Sequence, residues 1–441
     1  MVQRKRLVIS DMDELVQLRR PTPLLETCTD ADSLPRALRG LARIIDNDLC
    51  HRCGSCVGIC PTGVLSTDKE GFPSIKSLSS CTDCDLCVKV CPGDEFSAPS
   101  MLKKLYGDHH APITDTHGTF VSGYLSYAKD PVVREGSTSG GTITAVLISL
   151  LEKGQIDGAL VVVSDPEVHW KGKPIIARTK EELLSSMKSK YAISPTNQGY
   201  AEIIATPGRY AVVGLPCQIH GFHKACELNK VIRERVVLTI GLFCHAAVEH
   251  EPMEKMWEWN PDTKDAVGFV SRIGKHPGTP HVIKQDGSSL PFYFPEKTGY
   301  RPSSTEFLNV LYRLYTPARC VTCYDATSEF ADIAVGDPWM VPPDPSIDFY
   351  QGYSFVIGRT ERGVQALEFA KAESYLALSP LSYEHTKTSN RMMGEEKRGR
   401  AFRLIETRRR QGLPVPEYSF ITPPLSGIHS IKTEIGLFTH I

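Results

Sequence analysis

Long apolar runs are missing from this chain of 441 residues. None approaches the ~18 residues of a membrane-crossing helix, so no span is expected. The opening stretch, MVQRKRLVISDMDELVQ, has no apolar core of a signal peptide, which points to a cytoplasmic, reducing setting. Charge of one sign is missing too. Lys and Arg number 50 against 51 Asp and Glu, a formal net charge of −1. That balance argues against nucleic acid or an anionic membrane as the main partner. The G-x-G-x-x-G fingerprint with its acidic ribose partner is also missing, which weakens the case for NAD(P)H as the hydride donor.

Cysteine is what the chain does have, 14 residues in all. In a reducing compartment, clustered cysteines mean metal or redox chemistry more often than disulfides. Eight fall in one stretch: Cys50, Cys53, Cys56 and Cys60 before Pro61, then Cys81, Cys84, Cys87 and Cys91 before Pro92. This is the C-x2-C-x2-C-x3-C-P run of bacterial two-cluster ferredoxins, in which the fourth cysteine of each run reaches the other cluster. One 4Fe-4S cluster is therefore assigned to Cys50, Cys53, Cys56 and Cys91, and the other to Cys81, Cys84, Cys87 and Cys60. Zinc sites use paired C-x2-C knuckles, a different pattern. Cys28 and Cys226 read as structural, and His109 and His110 as solvated linker residues.

The length suits two to four domains. Residues 1–40 read as a polar, partly extended leader, and 41–105 as an α+β ferredoxin-like 2x4Fe-4S domain. From 115 to 375, strands and helices alternate, which predicts an α/β core with a largely parallel sheet covered by helices. Residues 376–441 read as a helical and irregular tail, with Arg408–Arg410 as a solvated helix end. A hairpin is predicted around Asp286-Gly287.

Two segments of the α/β region are candidates for binding a phosphate-bearing cofactor. GSTSGG, residues 136–141, precedes a helix whose apolar residues Ile143, Val146, Leu147, Leu150 and Leu151 recur at helical spacing. Backbone amides at such a helix start bind anions, and glycine allows close approach; Ser137, Thr138, Ser139 and Thr142 add hydroxyls. An ordinary capped helix fits the same residues. KSKYAISPTNQ, residues 188–198, gathers cations, hydroxyls and amides in a turn, and a polar surface turn fits it equally.

A second set of thiols follows. Cys217 ends one predicted strand and Cys244 the next, with a helix between. A right-handed crossover puts both at the carboxyl edge of the sheet, where open α/β sheets hold ligands. Cys320 and Cys323 come from a later loop. Four thiolates from three loops can close a third 4Fe-4S site. Zinc in the same place, a redox dithiol at Cys320 and Cys323, and inert buried thiols stay open on the residues alone.

In order, GSTSGG, SKYAISP, GLPCQ, GLFC and CVTCYD…ADIAVGD resemble the family of coenzyme F420 hydrogenase/dehydrogenase beta subunits, over about residues 115–375. Thr142 stands where family members often have a small apolar residue. The resemblance implies an FAD-dependent iron–sulfur oxidoreductase: non-covalent FAD, with a proximal 4Fe-4S cluster on Cys217, Cys244, Cys320 and Cys323. It implies an FAD pocket built from Ser137, Thr138, Ser139, Gly140, Gly141, Thr142, Thr144, Lys188, Lys190, Tyr191, Ser194 and Asn197, with Gly336–Trp339 nearby. The implied partners are a hydride carrier such as F420 or F420H2, and a redox protein or other subunits. Hydride transfer to flavin requires no acid or base from the protein. Two alternatives accompany this reading: a ferredoxin-dependent reductase of an organic substrate, as in the hydroxymethyl-chlorophyll reductase relatives, and a relay subunit that holds clusters without catalysis.

Overall fold

The computed structural model describes residues 34–274, 278–292, 315–340 and 342–420. Cys28, most of the expected leader and the end of the tail lie outside these residues. The first element among the described residues is helix α1 (Arg36–Asp46), so residues 36–40, expected in the leader, belong to a helix. Its buried face, Ala37, Leu38, Leu41, Ala42 and Ile45, packs on Val64 and Leu65 of the cysteine-rich module.

That module is two copies of one loop-and-turn. Cys53 is followed by helix α2 (Ser55–Gly58), strand β1 (Leu65–Thr67) and its antiparallel partner β2 (Pro73–Ile75). Cys84 is followed by helix α3 (Leu86–Lys89). Left-handed residues recur at matching places, Arg52 and Gly54 in the first copy, Asp83 and Asp85 in the second. These turns aim backbone amides inward, and Arg52 N–H donates to Cys50 Sγ at 3.3 Å. The two αL positions before the helices hold different residues for a steric reason. Asp85 takes φ 62° without glycine, whereas a Cβ on Gly54 would stand 2.4 Å from the Pro195 carbonyl oxygen. Close approach of the 195–198 segment, rather than φ alone, requires glycine there.

Residues 122–380 build one eight-stranded sheet. Its strands are β3 (Ser122–Ala128), β4 (Gly158–Ser164), β5 (Gly172–Ala177), β6 (Tyr210–Gly214), β7 (Val236–Leu242), β11 (Ile333–Gly336), β12 (Ser354–Gly358) and β13 (Leu376–Pro380). A separate three-stranded antiparallel sheet holds β8 (Ala266–Ile273), β9 (Thr279–Lys284) and β10 (Ser289–Pro291), with the expected hairpin at Asp286-Gly287. The large sheet runs β13-β3-β12-β11-β7-β6-β4-β5. Only β4, β6, β7 and β11 pair in parallel, and every other neighbour is antiparallel. The sheet is therefore mixed, which corrects the largely parallel expectation. A strand buried on both faces reads as an apolar run whatever its direction; β12, SFVIG, is buried throughout yet runs antiparallel to both neighbours. The expected tail also contributes to the sheet, because β13 pairs with β3.

Helices α4 (Thr142–Glu152) and α6 (Glu361–Ala372) cover one face, burying Val146, Leu150, Leu367 and Ala370 against Ile240 and Val356. Helix α5 (Pro216–Leu228) lies on the other. Here the cysteine-rich module enters the main core. Ile59 and Val90, the residues just before Cys60 and Cys91, pack with Leu160, Val212 and Phe222. Each burial of this kind contributes about 1.5–3 kcal/mol, so the module is fixed to the sheet domain rather than tethered to it.

The steric account of Gly54 gives an expected outcome. Gly54→Asp satisfies φ but overpacks the joint with Pro195, and is expected to cost about 1–3 kcal/mol. Asp85→Gly, at the matching position, is expected to cost less than half of that. Thermal denaturation of the anaerobically purified protein checks the difference; equal losses would show that φ, not contact, governs Gly54.

Candidate functional site

Two cavities in the module sort the eight cysteines. One is lined by Cys50, Cys53, Cys56 and Cys91, with Leu41, Val57 and Pro73. The other is lined by Cys60, Cys81, Cys84 and Cys87, with Leu38, Val64 and Leu65. The fourth cysteine of each run thus lines the cavity of the other run. Electrostatics show the same grouping. Burial, then the charges of Cys91 and its own loop, raises Cys50 and lifts Cys53 to about 11. Burial, then Cys60, Cys84 and Cys81, lifts Cys87 to about 12. Cys60 goes the other way: burial raises it, but amides of Thr62 and Val64 outweigh that. Cys56 is held well above the usual thiol range by burial and the first group, and also feels Cys87. The two groups are neighbours.

The third group forms at the carboxyl edge of the sheet. Strands β6, β7 and β11 are parallel, so the loops after them open on one side. Cys217 begins α5 just after β6, and Cys244 follows β7, its N–H donating to Ala326 O at 2.9 Å. Cys320 and Cys323 close a short turn, Cys323 N–H donating to Cys320 O at 3.2 Å. Burial holds the Cys217 thiol far above its ordinary range, and Cys53, Cys323, Cys320 and Cys244 add to the effect in that order. The four thiols therefore stand together, and Cys53 of the first module group is their neighbour. Among the described residues, no three His, Cys, Asp or Glu side chains are placed to hold a single metal ion. By contrast, Cys226 is lifted to about 12 by burial, with no thiol among its next influences.

Sequence reasoning missed the shell around these thiols. His51 is half-buried, but both its ring nitrogens are buried without a hydrogen-bond partner among the described residues, and Arg319, His220 and Lys397 are near. Arg319 donates to Gly93 O at 3.0 Å and to Tyr418 Oη at 3.0 Å. His220 Nε2 meets Asp325 Oδ2 at 3.1 Å and stacks on Phe96 with ring centres 4.1 Å apart. One signal was present in the sequence: Lys397 falls on the stripe formed by Gly394, Ala401 and Ile405 in helix α7 (Arg391–Arg410).

The glycine loop has a structural reason of its own. Gly141 takes φ 75° at the start of α4, and a Cβ on Gly140 would stand 2.4 Å from Ser126 O. Most hydroxyls there bond within the protein. Ser137 Oγ donates to Val133 O at 2.6 Å, Ser139 Oγ meets Ser354 Oγ at 3.2 Å, and Thr142 Oγ1 donates to Ser126 Oγ at 3.0 Å. Thr144 is buried within α4. The loop does meet the second candidate segment: Thr138 Oγ1 accepts from Ser189 N–H at 3.1 Å, and Lys188 Nζ donates to Ser137 O at 3.0 Å. Lys190 Nζ donates only to the Ser186 and Met187 carbonyls, at 2.8 and 2.7 Å, and burial lowers it to about 7. Burial raises Tyr191, opposed by the Arg272 cation, and Arg272 Nη1 in turn pairs with Asp337 Oδ2 at 2.6 Å.

Ser194 and Asn197 are placed elsewhere, at the joint with the cysteine-rich module. Ser194 O accepts from Gln218 Nε2 at 2.8 Å. Asn197 is fully buried; its Nδ2 donates to Ser55 Oγ at 2.8 Å and Gln218 O at 2.9 Å, and its N–H to Cys53 O at 2.8 Å. The structure thus joins Ser137–Gly141 to Lys188–Tyr191 and separates Ser194 and Asn197 from them.

Comparison with known proteins follows the same division of the chain. A model of the 4Fe-4S dicluster domain matches residues 42–92. Models of the N-terminal and C-terminal parts of the coenzyme F420 hydrogenase/dehydrogenase beta subunit match residues 124–199 and 208–384, together more than half of the chain. The coenzyme F420-dependent sulfite reductase of Methanocaldococcus jannaschii is 30% identical over 73% of this chain, which spans only 46% of that protein. A component of the F(420)H(2) dehydrogenase of Methanosarcina mazei is 24% identical, with 77% of this chain and 87% of that one covered. A chain of the F420-reducing [NiFe] hydrogenase complex from Methanosarcina barkeri shares the fold, with a TM-score of 0.53 and 24% identity over 68% of this chain and 97% of that one. With the dicluster model and both beta-subunit models matched in chain order over the elements described above, this chain belongs to the family of coenzyme F420 hydrogenase/dehydrogenase beta subunits and carries a 4Fe-4S dicluster domain in front.

Proposed function

We propose that this chain is an iron–sulfur flavoprotein that passes electrons between coenzyme F420, acting as hydride carrier at FAD, and a redox partner reached through three 4Fe-4S clusters. The observation that carries the reading is the row of thiols. Cys217 feels Cys244, Cys320 and Cys323 and also Cys53 of the next group, and Cys56 of that group feels Cys87 of the outermost. Cys84, at the far end, is exposed. The first two groups mix buried with half-buried thiols and only Cys84 among the described cysteines is exposed, a gradient that suits conduction from a partly shielded site to a partner protein. The names of the relatives in three enzyme types share coenzyme F420, which supports the carrier.

The residues present fit both kinds of group. Thiols buried against their own ionisation are what a cluster relieves, since iron binding removes the proton and offsets the charge. FAD, when bound, accepts a hydride as an electron pair and releases the electrons singly, the conversion that one-electron clusters require. Among the described residues Lys188 and Lys190 have no carboxylate hydrogen-bond partner, and Lys188 meets the Ser137–Gly141 loop, which suits the phosphates of FAD. Tyr191, Arg272 and Asp337 form a fixed chain of polar contacts beside them. Asn197 and Gln218 lock the first module loop against α5, and so hold the spacing between the first and third groups.

Anaerobically purified protein is expected to hold about twelve irons per chain and one flavin. In stopped-flow measurements, F420H2 should bleach the flavin band faster than NADH or NADPH. Eight irons, or equal rates for all three donors, would overturn the corresponding part of the reading. Crossed ligation gives a further outcome. Cys91→Ser should alter the electron paramagnetic resonance signal of the cluster lost in Cys53→Ser, and Cys60→Ser that of the cluster lost in Cys84→Ser. The opposite pairing would show that each run closes its own cluster.

A further inference from the structure

Helix α7 lies beyond the residues that the family models match. Its buried stripe is built like any packing face, from Gly394, Ala401, Phe402 and Ile405, except that Lys397 sits in it at 2% exposure. A lysine this deeply buried ordinarily pairs with a carboxylate. Lys397 Nζ instead donates to two main-chain carbonyls, Cys244 O and Asp325 O, both at 2.7 Å. One turn later, Arg400 holds Nε and Nη2 buried with no hydrogen-bond partner. The nearby acids are engaged elsewhere: Asp325 with His220, and Glu329 with Arg398. Both cations face the same thiols. Burial works against the charge of each; Cys323, Cys244, Asp325 and Cys320 act to restore it at Lys397, and Cys320, Cys323, Glu396 and Cys244 at Arg400. Positive charge has therefore been placed beside the third cysteine group by a helix that supplies none of its thiols.

We propose that Lys397 and Arg400 of α7 set the reduction potential of the cluster held by Cys217, Cys244, Cys320 and Cys323, acting through their charge as positioning residues. The inference rests on the third-cluster reading above. Reduction adds one electron and no proton to the cluster, the electron coming from the hydride carrier by way of the flavin. The cluster becomes more negative by one unit, and two desolvated cations beside it favour that form. The cluster next to the flavin is thereby made the better acceptor, which draws single electrons away from the hydride site.

The test is a redox titration of the full, anaerobically purified chain, followed by electron paramagnetic resonance, with iron counted in each sample. Arg400→Gln, which breaks no hydrogen bond among the described residues, should disfavour reduction of one cluster about tenfold, about 59 mV lower for one electron. The other two clusters should not move. Lys397→Met should shift the same cluster further in the same direction, and Lys397→Arg should restore it. If Lys397→Met sheds iron, Arg400→Gln alone decides. Twelve irons with all three potentials unmoved would overturn the inference and leave the third cluster standing. Eight irons in the unaltered protein would overturn the third cluster itself, before any variant is made.

Discussion

Ionised sulfur kept away from water is the constraint around which this chain is built. At Cys50, Cys53, Cys56, Cys87, Cys217, Cys244 and Cys320, burial is the first cause of a raised thiol pKa, and other thiols nearby add to it. A chain without iron would resolve this by keeping the thiols protonated. With iron, the same burial becomes an advantage, since a cluster in a dry cage is shielded from hydrolysis and its potential is set by the few charges allowed near it. The left-handed turns at Arg52, Gly54, Asp83 and Asp85 and the cavities they frame belong to that environment.

The mixed sheet serves it by geometry. Three parallel strands, β6, β7 and β11, release their loops at one edge and so collect Cys217, Cys244 and Asp337 from distant parts of the chain. Strand β3 reaches the same edge, because it pairs antiparallel to β12, which is itself antiparallel to β11. The loop Ser137–Gly141, which comes after β3, thus arrives beside Lys188 and Ser189. Antiparallel strands at the flanks close the sheet without moving that edge.

What the sequence disclosed depended on how local each constraint was. The eight cysteines of the module stood out because a cubane is gripped by thiols at fixed short intervals, and each cavity is lined by three cysteines of one run and one of the other. The third group was legible only as strand ends plus a C-x2-C pair, since its members are gathered by topology. The direction of β12 was not legible, because burial on both faces hides it. Asn197 was read as a flavin contact, yet its side chain meets Ser55, 142 positions earlier, and no local pattern encodes so distant a partner. Lys397 was hidden by its company: in MMGEEKRGRAFR one more basic residue carries no signal unless the helix stripe is drawn first.

The joint between module and sheet domain has a consequence for how such a protein works. Gly58 has no room for a Cβ, which would stand 2.1 Å from Asn197 O, and Ile59 and Val90 are sealed into the core beside Val212. Many electron-transfer proteins move a tethered domain back and forth between donor and acceptor. Here the packing removes that freedom: the module is seated on the sheet like a post set in masonry, and on the function proposed above a redox partner would have to travel to the Cys84 side and leave again. Turnover in such a device is governed by the visitor's arrival and departure, so ionic strength and partner concentration, rather than linker length, are the levers evolution or an experimenter can pull.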